Sequence, residues 1–213
     1  MTQALNRLRG VSHLVYTVPE SEFAIDPFGI PPNWKRIFPM EVRFNDVAAL
    51  WVACPPKDDV FYVYDLYCER GAEPGIHAAR ILSRGKWIPG LLDPMANGRS
   101  RDDGLELQQI YRDLGLDLGT VPDSEQSGVL AVMERMTSGR LKVFRTLERF
   151  FQEYRLYRHD EHGHVVKQND LLMNCLRYVC VSGRDNMRTN PALQQFGYES
   201  SIPLGTPNGW LGS

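Results

Sequence analysis

Residues 37–68 of this 213-residue chain read IFPMEVRFNDVAALWVACPPKDDVFYVYDLYC, and this stretch decides the fold. It contains three runs rich in β-branched and aromatic residues, separated by Asn45-Asp46 and by the polar, proline-containing segment Pro55–Asp59. Asn, Asp and Pro favour turns, and such short separations allow consecutive strands to pair as antiparallel neighbours. The stretch therefore predicts an antiparallel three-strand meander. Its predicted strands are Ile37–Phe44, Ala48–Cys54 and Val60–Cys68.

After the meander the sequence alternates between helical and strand patterns, with a hairpin expected around Glu161–His164. Three strands followed by such an alternation predict an α/β fold, with a mixed sheet and helices on both of its faces. The acidic segment Asp123–Gln126 is expected to begin one helix, and Gly183 to end the last. The predicted helices are Pro74–Ser83, Asp102–Leu114, Asp123–Met136, Leu147–Tyr154 and Gln168–Gly183, and the predicted strands are Ile88–Asp93, Leu116–Val121 and Leu141–Phe144.

Proline and glycine mark the two ends of the chain. The first 36 residues contain four prolines, and only Leu14–Val18 has the pattern of a strand there. The segment from Arg184 onwards is rich in Gly and Pro and lacks periodicity. We therefore expect an extended lead-in over residues 1–36, a folded domain over 37–183 and an irregular tail over 184–213.

The charge is nearly balanced over the whole chain, at −2, so any nucleic-acid surface has to be local. Basic residues do concentrate between Arg135 and Arg158, where Glu148 and Glu153 are the acids. This stretch is equally typical of a phosphate-binding surface and of a solvated helix face. Its basic residues are Arg135, Arg140, Lys142, Arg145, Arg149, Arg155 and Arg158.

Several classes of protein are disfavoured. The four cysteines lie in apolar segments without CxxC spacing, which is typical of buried thiols in a reducing compartment. The spacing of His159, His162 and His164 matches no standard zinc pattern, and no nucleophile elbow or dinucleotide-binding motif occurs. No apolar run has the length of a membrane span. We therefore expect a cytosolic protein without a membrane partner.

Three acids stand at positions where carboxylates can converge. Asp93 closes the apolar strand Leu91-Leu92, Asp170 begins an apolar helix, and Glu41 lies within a predicted strand. Each has a simpler explanation, because Asp170 is also a suitable helix-capping acid and Glu41 is tolerable on a wet sheet face. Three converging carboxylates would bind Mg²⁺ or Mn²⁺, and such ions promote phosphodiester hydrolysis. Lys167, three residues before Asp170, is equally suited to neutralising a nearby phosphate and to being a solvated lysine of the predicted hairpin.

An ordered series of motifs resembles the C-terminal nuclease domain of the large terminase subunit of tailed double-stranded DNA phages. The resemblance extends from about Pro31 to Gly183, and the order of the motifs is more specific than any one of them. They are GKWIPGLLDP at 85–94, GRS at 98–100, YRDLGL at 111–116, SGRLKVF at 138–144 and NDLLM at 169–173.

This resemblance implies an RNase H-like fold and Mg²⁺- or Mn²⁺-dependent endonucleolytic cutting of concatemeric viral DNA during packaging. It also implies that the protein works in the cytoplasm of the infected bacterium, with the portal protein, the small terminase subunit and an ATPase domain as partners. The chain contains no GxxxxGK[ST] loop. We expect it to be a nuclease domain excised from a longer protein, with an ATPase on another polypeptide as the alternative.

The resemblance assigns the metal ligands and catalytic acids to Glu41, Asp93 and Asp170. Glutamate at position 41 departs from the aspartate usual in the family, and its extra methylene moves the carboxylate by more than about 1 Å. Asn174 stands where the family often has a further aspartate, so it is expected to support the ligands as a neutral oxygen.

Two hypotheses follow. The first is a two-metal endonuclease with little sequence preference, because phosphate contacts position DNA without reading bases. Its expected DNA-binding residues are Arg140, Lys142, Arg145 and Lys167. The alternative is a DNA-holding or docking module of the packaging motor with weak or no catalysis.

Overall fold

The chain folds around a seven-stranded mixed sheet. The computed structural model describes residues 14–44, 46–95, 100–121 and 125–192. Its strands, numbered in chain order, are β1 (Ala24–Ile25), β2 (Lys35–Arg43), β3 (Asp46–Cys54), β4 (Phe61–Arg70), β5 (Gly90–Leu92), β6 (Leu118–Thr120) and β7 (Leu141–Phe144). They lie side by side in the order β1-β7-β4-β3-β2-β5-β6.

The predicted meander is confirmed at the centre of this sheet. β2 pairs antiparallel with β3 from Lys35 opposite Cys54 to Arg43 opposite Asp46, and β3 pairs antiparallel with β4. Every residue of β3 after Asp46 is buried, which explains its continuous apolar run: a central strand is covered on both faces. β5, β6, β7 and β1 then add to the two sides of the meander by parallel pairing.

Helices cover both faces of the sheet, as predicted. One core cluster unites Leu50 of β3 with apolar residues of the helices within residues 125–186, and the other unites Trp51 with apolar residues of the helices within residues 74–113. Adjacent residues of a strand point to opposite faces, so Leu50 and Trp51 serve different layers. The helices are α1 (Glu20–Phe23), α2 (Pro74–Leu82), α3 (Arg101–Asp113), α4 (Glu125–Thr137), α5 (Glu148–Leu156) and α6 (Leu171–Asn186).

The structure differs from the sequence prediction at the two ends. The strand predicted over Leu14–Val18 is reduced to a single bridge from Leu14 to Arg158. Val15, Tyr16 and Phe23 nevertheless belong to the core, because they pack against α5 and the residues that follow it. The domain boundaries stay a prediction.

The last helix does not end at Gly183. α6 continues to Asn186, and Gly183 lies inside it, where an added Cβ would collide with Val179. Residues Asp123 and Ser124, expected to begin α4, lie outside the described residues, as do residues 98–99 of the GRS motif. Among the described residues, no helix combines the length and the apolar character that a membrane crossing requires.

The turn between β2 and β3 carries backbone strain. Only residues 44–45 connect the paired ends Arg43 and Asp46, and Phe44 has φ +50° with 94% of its surface exposed. A left-handed backbone disfavours any residue with a Cβ, and a bulky residue especially.

The strain at Phe44 predicts different stabilities for two truncations. Phe44→Gly and Phe44→Ala lose the same exposed ring, but only glycine tolerates the positive φ. We expect the Gly variant to have a free energy of unfolding about 1 kcal/mol higher than that of the Ala variant. Urea denaturation of both variants measures this difference. Equal stabilities would show that residue 44 is not left-handed in solution.

Candidate active site

Glu41 is a fully buried carboxylate in the middle of β2. Its neighbours Met40 and Val42 point into the layer formed with α2 and α3. Glu41 therefore points to the other face, where the Tyr178 hydroxyl on α6 donates to its Oε2 at 2.5 Å. Burial, together with the charge and hydrogen bond of Glu41 and the charge of Asp93, raises the pKa of Tyr178 well above its ordinary range. The phenol thus remains a protonated donor, and Glu41 does not lie on a wet face of the sheet.

Asp93 directly follows the neighbouring strand β5 and lies level with Glu41. β5 runs parallel to β2 with Leu92 opposite Met40, so the next residues along, Asp93 and Glu41, follow the same register and face. Asp93 is 5% exposed, and its Oδ1 accepts a hydrogen bond from the Met95 amide at 2.8 Å. The negative charges of Glu41 and Asp93 both raise the pKa of Tyr178, so both carboxylates lie near its phenol.

Asp170 occupies the residue before α6 but does not cap the helix with its side chain. It is fully buried, and the guanidinium of Arg43 binds both of its oxygens, with Nη1–Oδ1 at 2.6 Å and Nη2–Oδ2 at 3.0 Å. The simple explanation of Asp170 as a capping acid is therefore wrong. Its preceding residue, Asn169, has φ +50°, so the backbone entering the helix is also strained.

Arg43 links two of the three acids. It lies two residues beyond Glu41 in β2, on the same face, and its Nη1 also donates to the Lys167 carbonyl at 3.2 Å. Burial lowers the pKa of Arg43, but the hydrogen bond and charge of Asp170 and the charge of Glu41 raise it above its ordinary value. A permanent positive charge therefore balances Glu41 and Asp170.

The donor atoms of the three acids suit a divalent cation, but the acids are not arranged around a common point. The three acids supply only carboxylate oxygens, the ligands that Mg²⁺ and Mn²⁺ prefer, and Arg43 already holds positive charge against two of them. Within the described ranges, however, no group of three His, Cys, Asp or Glu side chains is close enough to hold an ion. An ion at Asp170 would have to share or replace the contacts of Arg43.

Asn174 is engaged elsewhere. It is 4% exposed, and its Oδ1 accepts a hydrogen bond from Arg177 Nη2 at 2.6 Å. Its expected support of the metal ligands stays a prediction.

The structure separates most of the predicted DNA-binding residues from the acids. Arg140, Lys142 and Arg145 lie in or beside β7, which two strands separate from β2. Lys167 lies beside the site, because its carbonyl accepts from Arg43, while its Nζ contacts Glu125. The other three are engaged with Asp59, the Glu22 carbonyl and Asp26, respectively. Their role in binding DNA stays a prediction.

Glu153 is a buried acid next to the site that the sequence did not reveal. Its side chain on α5 is 1% exposed, and its Oε2 accepts from the Leu172 amide at 2.8 Å, so it satisfies the start of α6. Arg149 lies 3.3 Å from its other oxygen, an ion pair that does not satisfy hydrogen-bond geometry. Burial raises the pKa of Glu153, and the charge of Asp170 adds to this. Its only sequence signal is the Arg149–Glu153 spacing of one helical turn.

A charged cleft of about 380 Å³ opens beside Asp170. Its walls carry both signs of charge, so the ion pairs within it largely compensate one another. The charged residues lining it are Arg43, Asp46, Arg70, Arg149, Glu153 and Lys167.

Gly104 fixes the strand end that carries Asp93. It lies in the first turns of α3, and a Cβ there would collide with the Pro94 carbonyl oxygen. The absence of a side chain lets the helix approach the residue that follows Asp93.

The chain is similar to known large terminase subunits. A family model described as the terminase RNaseH-like domain matches residues 41–181. The large terminase subunits of Enterobacteria phage LP7 and Salmonella phage P22 are each 31% identical over 185 residues, which cover 81% of this chain. The chain spans 39% and 37% of the lengths of these curated relatives, so both relatives are much longer than this chain.

Solved nuclease domains share the fold. The P22 large terminase nuclease domain superposes with a TM-score of 0.74 at 25% identity, covering 85% of this chain and 97% of that domain. The large terminase nucleases of phage G20c with bound magnesium and of phage SPP1 with bound manganese give TM-scores of 0.58 and 0.54. The G20c nuclease matches 80% of this chain and 97% of its own length at 14% identity. The SPP1 nuclease matches 79% of this chain and 99% of its own length at 11% identity. At these identities the two matches show the fold alone. The predicted RNase H-like fold is confirmed.

The close approach at Gly104 predicts a large effect for a small substitution. Gly104→Ala must displace Pro94 and with it Asp93, and we expect it to lower the free energy of unfolding by about 1–3 kcal/mol. Gly75→Ala in α2 is the matched control, because the atom nearest to a Cβ added at residue 75 is Leu114 Cδ2, at 4.0 Å. The control should gain up to about 1 kcal/mol from helix propensity. Urea denaturation compares the two, and equal effects would disprove the contact.

The burial of Glu153 predicts a pH-dependent stability. Because folding raises the pKa of this carboxyl, the folded protein holds the proton more tightly, and stability is lost as pH rises through the folded pKa. Glu153→Gln removes this loss and retains an acceptor for Leu172. We expect the free energy of unfolding of the variant, relative to the wild type, to increase from about pH 4.5 to about pH 8. A difference independent of pH would contradict the raised pKa.

Proposed function

The chain belongs to the terminase RNaseH-like domain family, and we propose that it is a Mg²⁺- or Mn²⁺-dependent endonuclease domain that cuts concatemeric double-stranded DNA during viral genome packaging. The proposal is supported above all by two fully buried carboxylates, Glu41 and Asp170, whose negative charge is balanced by one guanidinium. Such burial of charge is costly unless a cation is present, and it is typical of functional sites.

Glu41, Asp93 and Asp170 are the residues that would hold one or two divalent ions. The ions, when bound, lower the pKa of an attacking water and neutralise charge on the scissile phosphate and the leaving 3′ oxygen. The bound magnesium of the G20c nuclease and the bound manganese of the SPP1 nuclease are consistent with this choice of ions.

The residues of the chain itself position these groups. Tyr178 fixes the carboxylate of Glu41 by its hydrogen bond, and Gly104 allows α3 to support the strand end at Asp93. Lys167, beside Asp170, would contact a DNA phosphate, and Arg140, Lys142 and Arg145 would contact the backbone farther along. Phosphate contacts carry no base information, so we infer cutting with little sequence preference.

The remaining assignments concern the whole protein. The longer relatives are large terminase subunits, and we propose that this chain is the nuclease part of such a subunit, with its domain over residues 37–183. An ATPase domain, the portal protein and the small terminase subunit would be its partners in the cytoplasm of the infected bacterium.

A second candidate function has one observation in its favour. Arg43 occupies both oxygens of Asp170, and the described residues contain no three-acid group arranged for an ion. A module that holds DNA or docks on the packaging motor without cutting would need no such group. The two functions differ in whether the acids are required for cleavage.

Plasmid cleavage tests the proposed function. We expect the purified chain to nick and linearise supercoiled plasmid with Mn²⁺ or Mg²⁺, and EDTA to abolish this. Asp93→Asn and Asp170→Asn should each lower the rate by about 100-fold or more, because losing a ligand costs more than losing the partner that orients it. Asp117→Asn is the control, because Asp117 pairs with the exposed Arg188 away from the acids.

Three results would count against the proposal or a part of it. Cutting that survives Asp93→Asn would disprove the assignment of the site. No cutting by the folded wild type, with cutting restored in Glu41→Asp, would show that the longer side chain misplaces the carboxylate. No cutting by either protein would favour the docking module.

A further inference from the structure

In this structure the positive charge bound to Asp170 is the guanidinium of a side chain, Arg43. Arg43 binds Asp170 through two parallel hydrogen bonds, the strongest geometry available to a guanidinium and a carboxylate. Its side chain is only 16% exposed and that of Asp170 is fully buried. The ion pair is therefore shielded from water, and salt screens it little.

We propose that Arg43 is the built-in counter-ion of the metal site: it holds Asp170 while no metal is bound, and a divalent ion has to displace it from that carboxylate. Arg43 would thus set the affinity of the site for the ion. This inference rests on the proposed function, because it assumes that Asp170 is a metal ligand.

Competition follows from the positions of the charges. The fork of Arg43 uses one hydrogen bond on each oxygen of Asp170, and a divalent ion would be attracted to the same two oxygens. A guanidinium and a divalent cation at that distance repel each other strongly where water is excluded. Arg43 also lies two residues beyond Glu41 on the same face of β2, so its charge acts on both of these acids.

The partner of Glu41 behaves differently. Tyr178 is a neutral hydroxyl donor, so it can remain hydrogen-bonded to Glu41 beside a cation. Asp170, by contrast, has a guanidinium on both of its oxygens. The asymmetry identifies Arg43, and not Tyr178, as the residue that an ion must move.

The fold offers Arg43 another position. It is at the end of β2 and lines the charged cleft, whose walls include Asp46 and Glu153. A displaced guanidinium would therefore face the open cleft rather than the packed core. Asp170, by contrast, is fixed at the start of α6 and remains where the ion would bind.

Mn²⁺ binding without DNA tests the inference, with calorimetry or the electron paramagnetic resonance of free Mn²⁺ as the measurement. We expect Arg43→Gln to bind Mn²⁺ about tenfold more tightly than the wild type, because a competing charge is gone. Its melting temperature should be lower without metal and should rise more on adding Mn²⁺. A residue with a purely structural role would not tighten binding when it is removed.

Three further variants complete the test. Arg70→Gln is the matched control, since Arg70 makes the same kind of fork with Asp46 but is 82% exposed, and its Mn²⁺ affinity should stay within about twofold. Arg43→Lys keeps the charge but loses the two parallel hydrogen bonds, so we expect its Mn²⁺ affinity to lie between those of the wild type and Arg43→Gln. If Arg43→Gln fails to fold, the Mn²⁺ affinity of Arg43→Lys tests the inference instead. In the Asp170→Asn background, Arg43→Gln should no longer tighten binding.

The outcomes separate this inference from the proposed function. Mn²⁺ binding that depends on Asp170 but is unchanged or weakened in Arg43→Gln and Arg43→Lys would overturn the inference alone. No Mn²⁺ binding by the wild type or by any Arg43 variant would overturn the proposed metal site and the inference with it. Binding by Arg43→Gln when the wild type binds none would support both.

Discussion

The packing of α6 against β2 buries two carboxylates, and the rest of the site depends on how their charge is balanced. Glu41 and Asp170 are both fully buried, and a buried carboxylate without a partner is unstable. The fork from Arg43 and the hydroxyl of Tyr178 supply the partners, one ionic and one neutral. The arginine on the strand under the helix therefore contributes both to the contact between α6 and the sheet and to the charge balance of the site.

The mixed topology of the sheet determines where the third acid lies. A parallel β5 next to β2 brings the end of one strand level with the middle of the other, so that Asp93 follows the register of Glu41. The backbone contact between Gly104 and Pro94 then supports that strand end from α3. Acids held by packed strands and a helix start are positioned more accurately than acids on long loops.

The distribution of positive charge is unusual for a proposed DNA-cutting domain. The net charge is −2, and the arginines around the acids are paired, as Arg70 is with Asp46 and Arg149 with Glu153. The cleft beside Asp170 therefore offers little excess positive charge to a phosphate backbone by itself. Divalent ions at the acids would provide it, so metal binding and DNA binding would be linked through charge.

The sequence by itself determined the meander and the alternation of helices and strands after it, because periodicity and turn chemistry act over a few residues. It also supplied the three acids as site candidates, from their places at strand and helix ends and from the resemblance. Only the tertiary structure decided what those acids touch. Arg43 and Asp170 are 127 residues apart in sequence, and Glu41 and Tyr178 are 137 apart. No local pattern distinguishes an arginine at a strand end, or a tyrosine on an apolar helix, from its neighbours. Burial of the carboxylates, which gives these partners their importance, arises only when α6 packs against the sheet.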